Sequence, residues 1–219
     1  MNTFKQIVYK ILYLLHSVFY RFDFIFRGNK YKYFISDYNS SYLNERAIEI
    51  PISMYFYKEM GSSGPTLEIG NVLKRYFPNL KHDVVDKYEI YENVKNEDIE
   101  FFKPKDRYKF ILAVSTLEHV GFDGFENLDL CKLNRSIENI TKNLLAPGGC
   151  FVATFPLKYN PSIDSLFFDT NFFNERYALQ RGVFNFWKEV SLDKAKNGLP
   201  KSKTAFVRQI GIGVYFSRW

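Results

Sequence analysis

A chain of 219 residues with 46% apolar content can bury one substantial core, which excludes disorder as its dominant state and makes one globular domain with appendages the default. Cys131 and Cys150 belong to no Cys-x-x-Cys or Cys/His cluster; this excludes a disulfide framework and a zinc site and fits a reducing, cytoplasmic compartment. Of the net charge of +6, residues 1–33 carry +5, six basic residues against Asp23 alone, so the remainder is close to neutral.

The first predicted element is an amphipathic helix. Phe4, Val8, Ile11, Leu12, Leu15, Val18, Phe19 and Phe22 recur at steps of three and four within residues 4–26, the spacing of one helical face. The longest uncharged run of this segment, Ile11 to Tyr20, has ten residues, too few to span a bilayer. Aromatics stand where a signal peptide would have small residues. Lys and Arg beside Leu and Phe suit an anionic membrane surface, so a peripheral contact through residues 1–33 stands beside plain packing on the domain's own core. The chain is expected to divide into a basic, aromatic-rich N-terminal helical segment, residues 1–35, and a domain, residues 36–219.

Glu45 to Pro51 reads as a charged, short extended stretch leading into the aromatic run Met54 to Tyr57, and Ser62-Ser63-Gly64-Pro65 then marks a turn. Beyond it, apolar strands alternate with crossovers, the order of a parallel sheet covered by helices. Thr66 to Ile69 and His82 to Val85 are the first strands, separated by a helical piece from Val72 to Phe77 that Pro78 stops. A third strand centres on Asp98-Ile99, and Lys109 to Val114 is apolar enough to be buried on both faces. Leu130, Leu133, Ile137, Ile140 and Leu144 repeat at intervals of three and four, an amphipathic helix ended by Ala146-Pro147-Gly148-Gly149. Cys150 to Phe155 is the fifth strand, and Phe184 to Val190 with Ala205 to Phe216 supply an antiparallel terminal pair.

Ligands of an open parallel sheet bind beyond the carboxyl ends of its strands, so the strand ends are the candidate site. Gly70 permits a tight turn, and Asn71 is a residue type that tolerates positive φ. Asp86, 16 residues after Gly70, falls where this architecture places the carboxylate that accepts ribose hydroxyls. The run Gly70-Asn71-Val72-Leu73-Lys74-Arg75 lacks the G-x-G-x-x-G that lays backbone amides on a pyrophosphate. A phosphate-bearing dinucleotide is therefore disfavoured.

Leu67-Glu68-Ile69-Gly70, Val85-Asp86, Asn96-Glu97-Asp98-Ile99, Ser115-Thr116-Leu117-Glu118-His119 and Leu145-Ala146-Pro147-Gly148-Gly149 follow one another in the order of the class I S-adenosylmethionine-dependent methyltransferases. The chain resembles that family from about Thr66 to Pro156. The resemblance implies a Rossmann-like, doubly wound, mostly parallel seven-stranded sheet with an antiparallel terminal strand, here preceded by the amphipathic helix. It implies S-adenosyl-L-methionine as cofactor, with Glu68 and Gly70 on its methionine and ribose side beside Asn71, Asp86 on the ribose, and Asp98-Ile99 against the adenine. Ser115, Thr116, Leu117, Glu118 and His119 would face the methyl group. The family's E-x-G-x-G-x-G pattern has Val72 and Lys74 at its second and third glycine positions here.

His119 is the first candidate base for a hydroxyl acceptor and Glu118 the second, because imidazole titrates near neutrality; a cap or packing role for His119 is the alternative. Tyr159 and Asn160 are expected either to shape an acceptor pocket or to form only a turn. His16 and His82 read as structural. No D/N-P-P-Y/F pattern or Pro-Cys nucleophile follows the fourth strand, so base methylation of nucleic acid is disfavoured and a small-molecule, glycan or lipid-linked acceptor favoured. Hydroxyl methylation, a non-catalytic binding module of the same fold and a nucleic-acid methyltransferase are the three readings the sequence leaves open.

Overall fold

The structure is a computed structural model that describes residues 11, 18, 23–61, 64–122, 129–182, 185–198 and 207–217. Most of the expected N-terminal helix lies outside them. The end of that segment which they include is not helical: Asp23–Phe26 (β1) pairs antiparallel with Asn29–Lys32 (β2), through a turn in which Arg27 and Gly28 both have positive φ, the geometry of a tight hairpin. Phe24 and Phe26 alternate into the core, a period of two that overrides the helical spacing upstream. The hairpin therefore packs within the domain, across the boundary expected at residue 35.

Arg46–Met60 form a helix, α1. The extended stretch expected over Glu45 to Pro51 is thus corrected to helix, with Pro51 inside it. Burial explains the difference: Ala47, Ile48, Ile50, Ile52 and Phe56 are all excluded from solvent in one cluster with the hairpin, and that packing outweighs the backbone hydrogen bond a helical proline forfeits.

The next elements are Thr66–Ile69 (β3), Leu73–Tyr76 (α2), Asp83–Val85 (β4), Val94–Lys95 (β5) and Tyr108–Val114 (β6). The third strand is centred before Asp98-Ile99, which instead open a turn in which the N–H groups of Phe101 and Phe102 donate to the Asp98 carbonyl. Lys132–Asn139 (α3) continues into a π turn over Ile140–Leu144; Leu130, expected on its apolar face, precedes the helix and is exposed. Leu145–Pro156 (β7) pairs Leu145 with Tyr108 and Cys150 with Phe110, so Ala146 to Gly149 bulge out between. Pro161–Phe168 (α4), Glu175–Arg181 (β8), Trp187–Val190 (β9), Leu192–Lys196 (α5) and Gln209–Phe216 (β10) complete the chain. Phe184 and Ala205, expected to begin the terminal strands, lie outside the described residues.

The sheet order is β5-β4-β3-β6-β7-β10-β8-β9. Strands β3 to β7 run parallel, and β10 lies antiparallel between β7 and β8. Strands stand at or near all seven expected places, and β8 is an eighth, antiparallel to both β10 and β9, so the expected terminal pair does not pair directly. The sequence reading missed β8 because Glu175, Arg176, Gln180 and Arg181 mask its apolar centre, Ala178-Leu179. Side-chain alternation splits the core between the two faces. Ile111 and Ala113 face the side covered by α3 and α4, whereas Phe110, Leu112 and Val114 face α1 and the hairpin. Among the described residues, no helix is long and apolar enough to cross a membrane.

Candidate active site

After β3 the chain turns toward β4, and after β6 toward β7, so the order reverses between β3 and β6 and leaves a crevice beyond their carboxyl ends. A cavity of about 600 Å³ occupies it, a size typical of small-molecule sites. Gly70, Asn71, Asp86, Asp98, Ile99, Ser115, Thr116, His119 and Tyr159 all line it. Glu68, Leu117, Glu118 and Asn160 do not.

Gly70 closes β3 at φ +80°, and a Cβ there would lie 2.3 Å from the Thr116 hydroxyl. Only glycine allows the two strand ends to approach so closely. Asn71 follows with Nδ2 donating to Glu89 at 3.1 Å, while its buried Oδ1, on an amide that lines the cavity, has no partner. Asp86 ends β4; its Oδ1 accepts the N–H groups of Tyr88 and Glu89 at 2.8 and 2.7 Å, which fixes the carboxylate on the cavity wall.

Asp98 is tied rather than open. Lys132 reaches its carboxylate at 2.5 Å and Lys87 at 3.5 Å. Burial alone would push the Asp98 carboxyl up, but the Lys132 hydrogen bond, the Glu100 N–H and the two lysine charges hold it below its ordinary value. Glu97, part of the Asn96-Glu97-Asp98-Ile99 motif, also lines the cavity, as do Lys132, Glu89 and Phe122, which nothing in the sequence separates from surface residues.

The residues off the wall have structural partners. Glu68 is buried and accepts the N–H groups of Val72, Leu73 and Lys74. Leu117 lies within the core on the α3 side. Asn160 accepts the Ser162 N–H and donates to the Glu118 carbonyl at 2.9 Å, so it caps α4, whose first residue is Pro161. His119 is half exposed, and its ring meets that of Tyr159 edge-on at 5.3 Å, as the Phe122 ring does at 5.7 Å. An aromatic wall results at the cavity mouth.

Behind the end of β6 lies a buried acidic cluster that the sequence reading did not anticipate, because α1 was read as extended. Glu49, wholly buried, accepts hydrogen bonds from Ser115 at 2.6 Å and Thr154 at 2.9 Å and pairs with Arg46 at 2.8 Å. Ser115 itself sits at φ +41° on the cavity wall. Burial pushes the neighbouring Glu118 carboxyl well above the ordinary carboxylate range, against its own backbone hydrogen bond; the Glu49 charge adds to the rise and Arg46 opposes it. Its Oε1 lies 3.8 Å from Nε2 of His119, so the buried carboxyl stands beneath the imidazole that lines the cavity.

No protein-family model and no curated protein matches the chain. Among solved structures, the N-methyltransferase NodS from Bradyrhizobium japonicum WM9 in complex with S-adenosyl-L-homocysteine is similar at TM-score 0.49 and 13% identity, over 82% of this chain and 95% of that one. An rRNA methylase from Streptococcus thermophilus is similar at TM-score 0.44 and 11% identity, over 78% and 97% of the two chains. The sugar N-methyltransferase KedS8 from Streptoalloteichus sp ATCC 53650 gives TM-score 0.41 and 11% identity, over 89% and 99%. By its own sheet order and switch-point crevice, the chain has a Rossmann-like, doubly wound fold with an antiparallel side.

Proposed function

We propose that the protein is an S-adenosylmethionine-dependent methyltransferase acting on a hydroxyl of a small-molecule, glycan or lipid-linked acceptor. One observation carries the reading. The Val72, Leu73 and Lys74 amides, which in a dinucleotide site would face a pyrophosphate, are turned inward onto Glu68, while Asp86 remains on the cavity wall. Among the described residues, the cavity thus offers a ribose acceptor, and the loop after β3 offers no phosphate cradle, which fits a nucleoside ligand without phosphate. The unpartnered Asn71 Oδ1 gives a further buried acceptor for a hydroxyl or ammonium group, and Ile69, Val85 and Ile99 supply apolar walls for a base.

In this reading Asp86 binds the ribose, Ile69, Val85 and Ile99 enclose the adenine with Asp98 held at its edge by Lys132, and Gly70, Asn71, Ser115 and Thr116 form the floor under the remainder. Bound S-adenosylmethionine would supply an electrophilic methyl group. The chain's task is then alignment and exclusion of water. The His119 imidazole takes the acceptor's hydroxyl proton, and Tyr159 with Phe122 shapes the acceptor's approach. Glu118, deep in the fold, is not the base.

Incubation with methyl-labelled S-adenosylmethionine and a cell extract, followed by identification of the labelled product, tests the acceptor class. An O-methylated product, lost with His119→Ala, is expected. Label on nitrogen or on nucleic acid would overturn the hydroxyl assignment, and no labelled product at all would favour the non-catalytic reading.

A further inference from the structure

His82 read as structural in the sequence, and it lies away from the cavity, just before β4. Its contacts give it a more specific task. The Glu68 carboxylate gathers the backbone amides of the loop after β3: Oε1 accepts the N–H groups of Val72 at 2.9 Å and of Leu73, and Oε2 accepts that of Lys74 at 3.1 Å. The second donor to Oε2 is His82 Nε2 at 2.8 Å, with both side chains almost wholly excluded from solvent. The Lys74 ammonium returns to the His82 carbonyl at 2.7 Å, and the Tyr57 ring closes the imidazole edge-on at 5.4 Å.

This arrangement accounts for the absent glycines. A glycine-rich loop lets backbone amides approach a ligand closely; here the amides point the other way, and Val72 adopts φ −96° and ψ −59°, open to any residue. The Gly70 N–H is held by the Val85 carbonyl and the Asn71 amide by Glu89, but from Val72, itself cavity wall, the loop's path follows the direction of the Glu68 carboxylate. A buried carboxylate keeps a single direction only when its oxygens are matched by fixed donors.

We propose that His82 is a positioning residue for the ligand site: it holds Glu68 in the orientation that gathers the Val72, Leu73 and Lys74 amides and thereby shapes the cavity wall at Val72. The proposal rests on the methyltransferase reading only for the identity of the ligand.

Hydrogen exchange of the unliganded protein, together with calorimetry using S-adenosylhomocysteine, tests it in four variants. His82→Ala should speed exchange of the three amides at least tenfold and weaken S-adenosylhomocysteine binding tenfold or more. His82→Gln, which keeps a side-chain N–H, should recover most of both. Val84→Ala, a packing truncation in the adjoining strand, should lower the melting temperature without a selective effect on those amides. His82→Leu fills the volume without a donor and should repeat the alanine result should that variant not fold. Unchanged exchange at Val72 to Lys74 in His82→Ala or His82→Leu, or equal effects in Val84→Ala, would overturn the proposal. Wild-type protein that shows protected amides but no S-adenosylhomocysteine binding would sink the cofactor assignment, with the exchange comparison still deciding the role of His82.

Discussion

Gly70 is the point of closest approach between the two strand ends that frame the cavity. At φ +80° an alanine is strained, and its Cβ would meet the Thr116 hydroxyl at 2.3 Å. Gly70→Ala is expected to lose about 1–3 kcal/mol of stability in urea unfolding, because Thr116 must move as well as the backbone. Equal midpoints for the two proteins would contradict the geometry. Glu118 gives a prediction of opposite character. A glutamate in the unfolded chain ionises at about pH 4.3, whereas burial holds the folded carboxyl well above that. Between the two values the folded state keeps a proton that the unfolded chain has lost, so the group's stabilisation is complete below about pH 4.3 and declines as pH rises toward its folded value. Glu118→Gln should therefore gain in melting temperature relative to wild type as pH rises above about 4.3; a difference independent of pH would show that Glu118 ionises normally in the fold. Gly70, Asp86 and His119 were legible because each stands at the end of an apolar strand, where the architecture puts ligands. Of the two roles the sequence left open for Asn160, a pocket or a turn, its contacts give the second in the form of a helix cap, which Asn before Pro also signals.

Among the elements, α1 is where sequence and structure part most clearly. Local chemistry argues against helix: Pro51 interrupts it, and Glu45 to Pro51 alternates charged and apolar residues. Tertiary burial decides otherwise, since Ile48, Ile50 and Ile52 each find a place under the sheet and Glu49 finds Ser115, Thr154 and Arg46. None of those partners is near in sequence except Arg46, so no local pattern could reveal them. The Ala47 carbonyl, which the missing Pro51 N–H leaves free, accepts the Phe34 N–H at 2.8 Å instead, so Pro51→Ala should change stability by less than about 1 kcal/mol in denaturant unfolding. A larger gain would contradict that compensation. By contrast, β3, α2, β6 and the helix of α3 were legible to within a residue or two, because burial on both faces or a clear helical spacing leaves only one reading.

At the scale of the whole molecule, the parallel crossovers predicted the sheet class but not the strand order, which depends on pairings between residues far apart in the chain. The insertion of β10 between β7 and β8 places the last strand at the centre of the antiparallel side and leaves the β3 and β6 ends free to frame the cavity. The acidic cluster behind Ser115 and the latch on Glu68 are likewise products of that assembly, each joining elements that the sequence presents separately. The site's character follows: the Asp86 carboxylate fixed on the wall beside Asp98, Glu89 and Glu97, a loop with its amides turned inward, and aromatic rings at His119, Phe122 and Tyr159. Calorimetric titration with S-adenosylhomocysteine, compared with NAD, tests this most directly. S-adenosylhomocysteine should bind one per chain, NAD should not, and Asp86→Asn, which keeps the Oδ1 acceptor for Tyr88 and Glu89, should weaken binding about ten- to hundredfold, the loss of one hydrogen bond to a charged group; folded protein that gives no heat with S-adenosylhomocysteine, or binds NAD in preference, would contradict it.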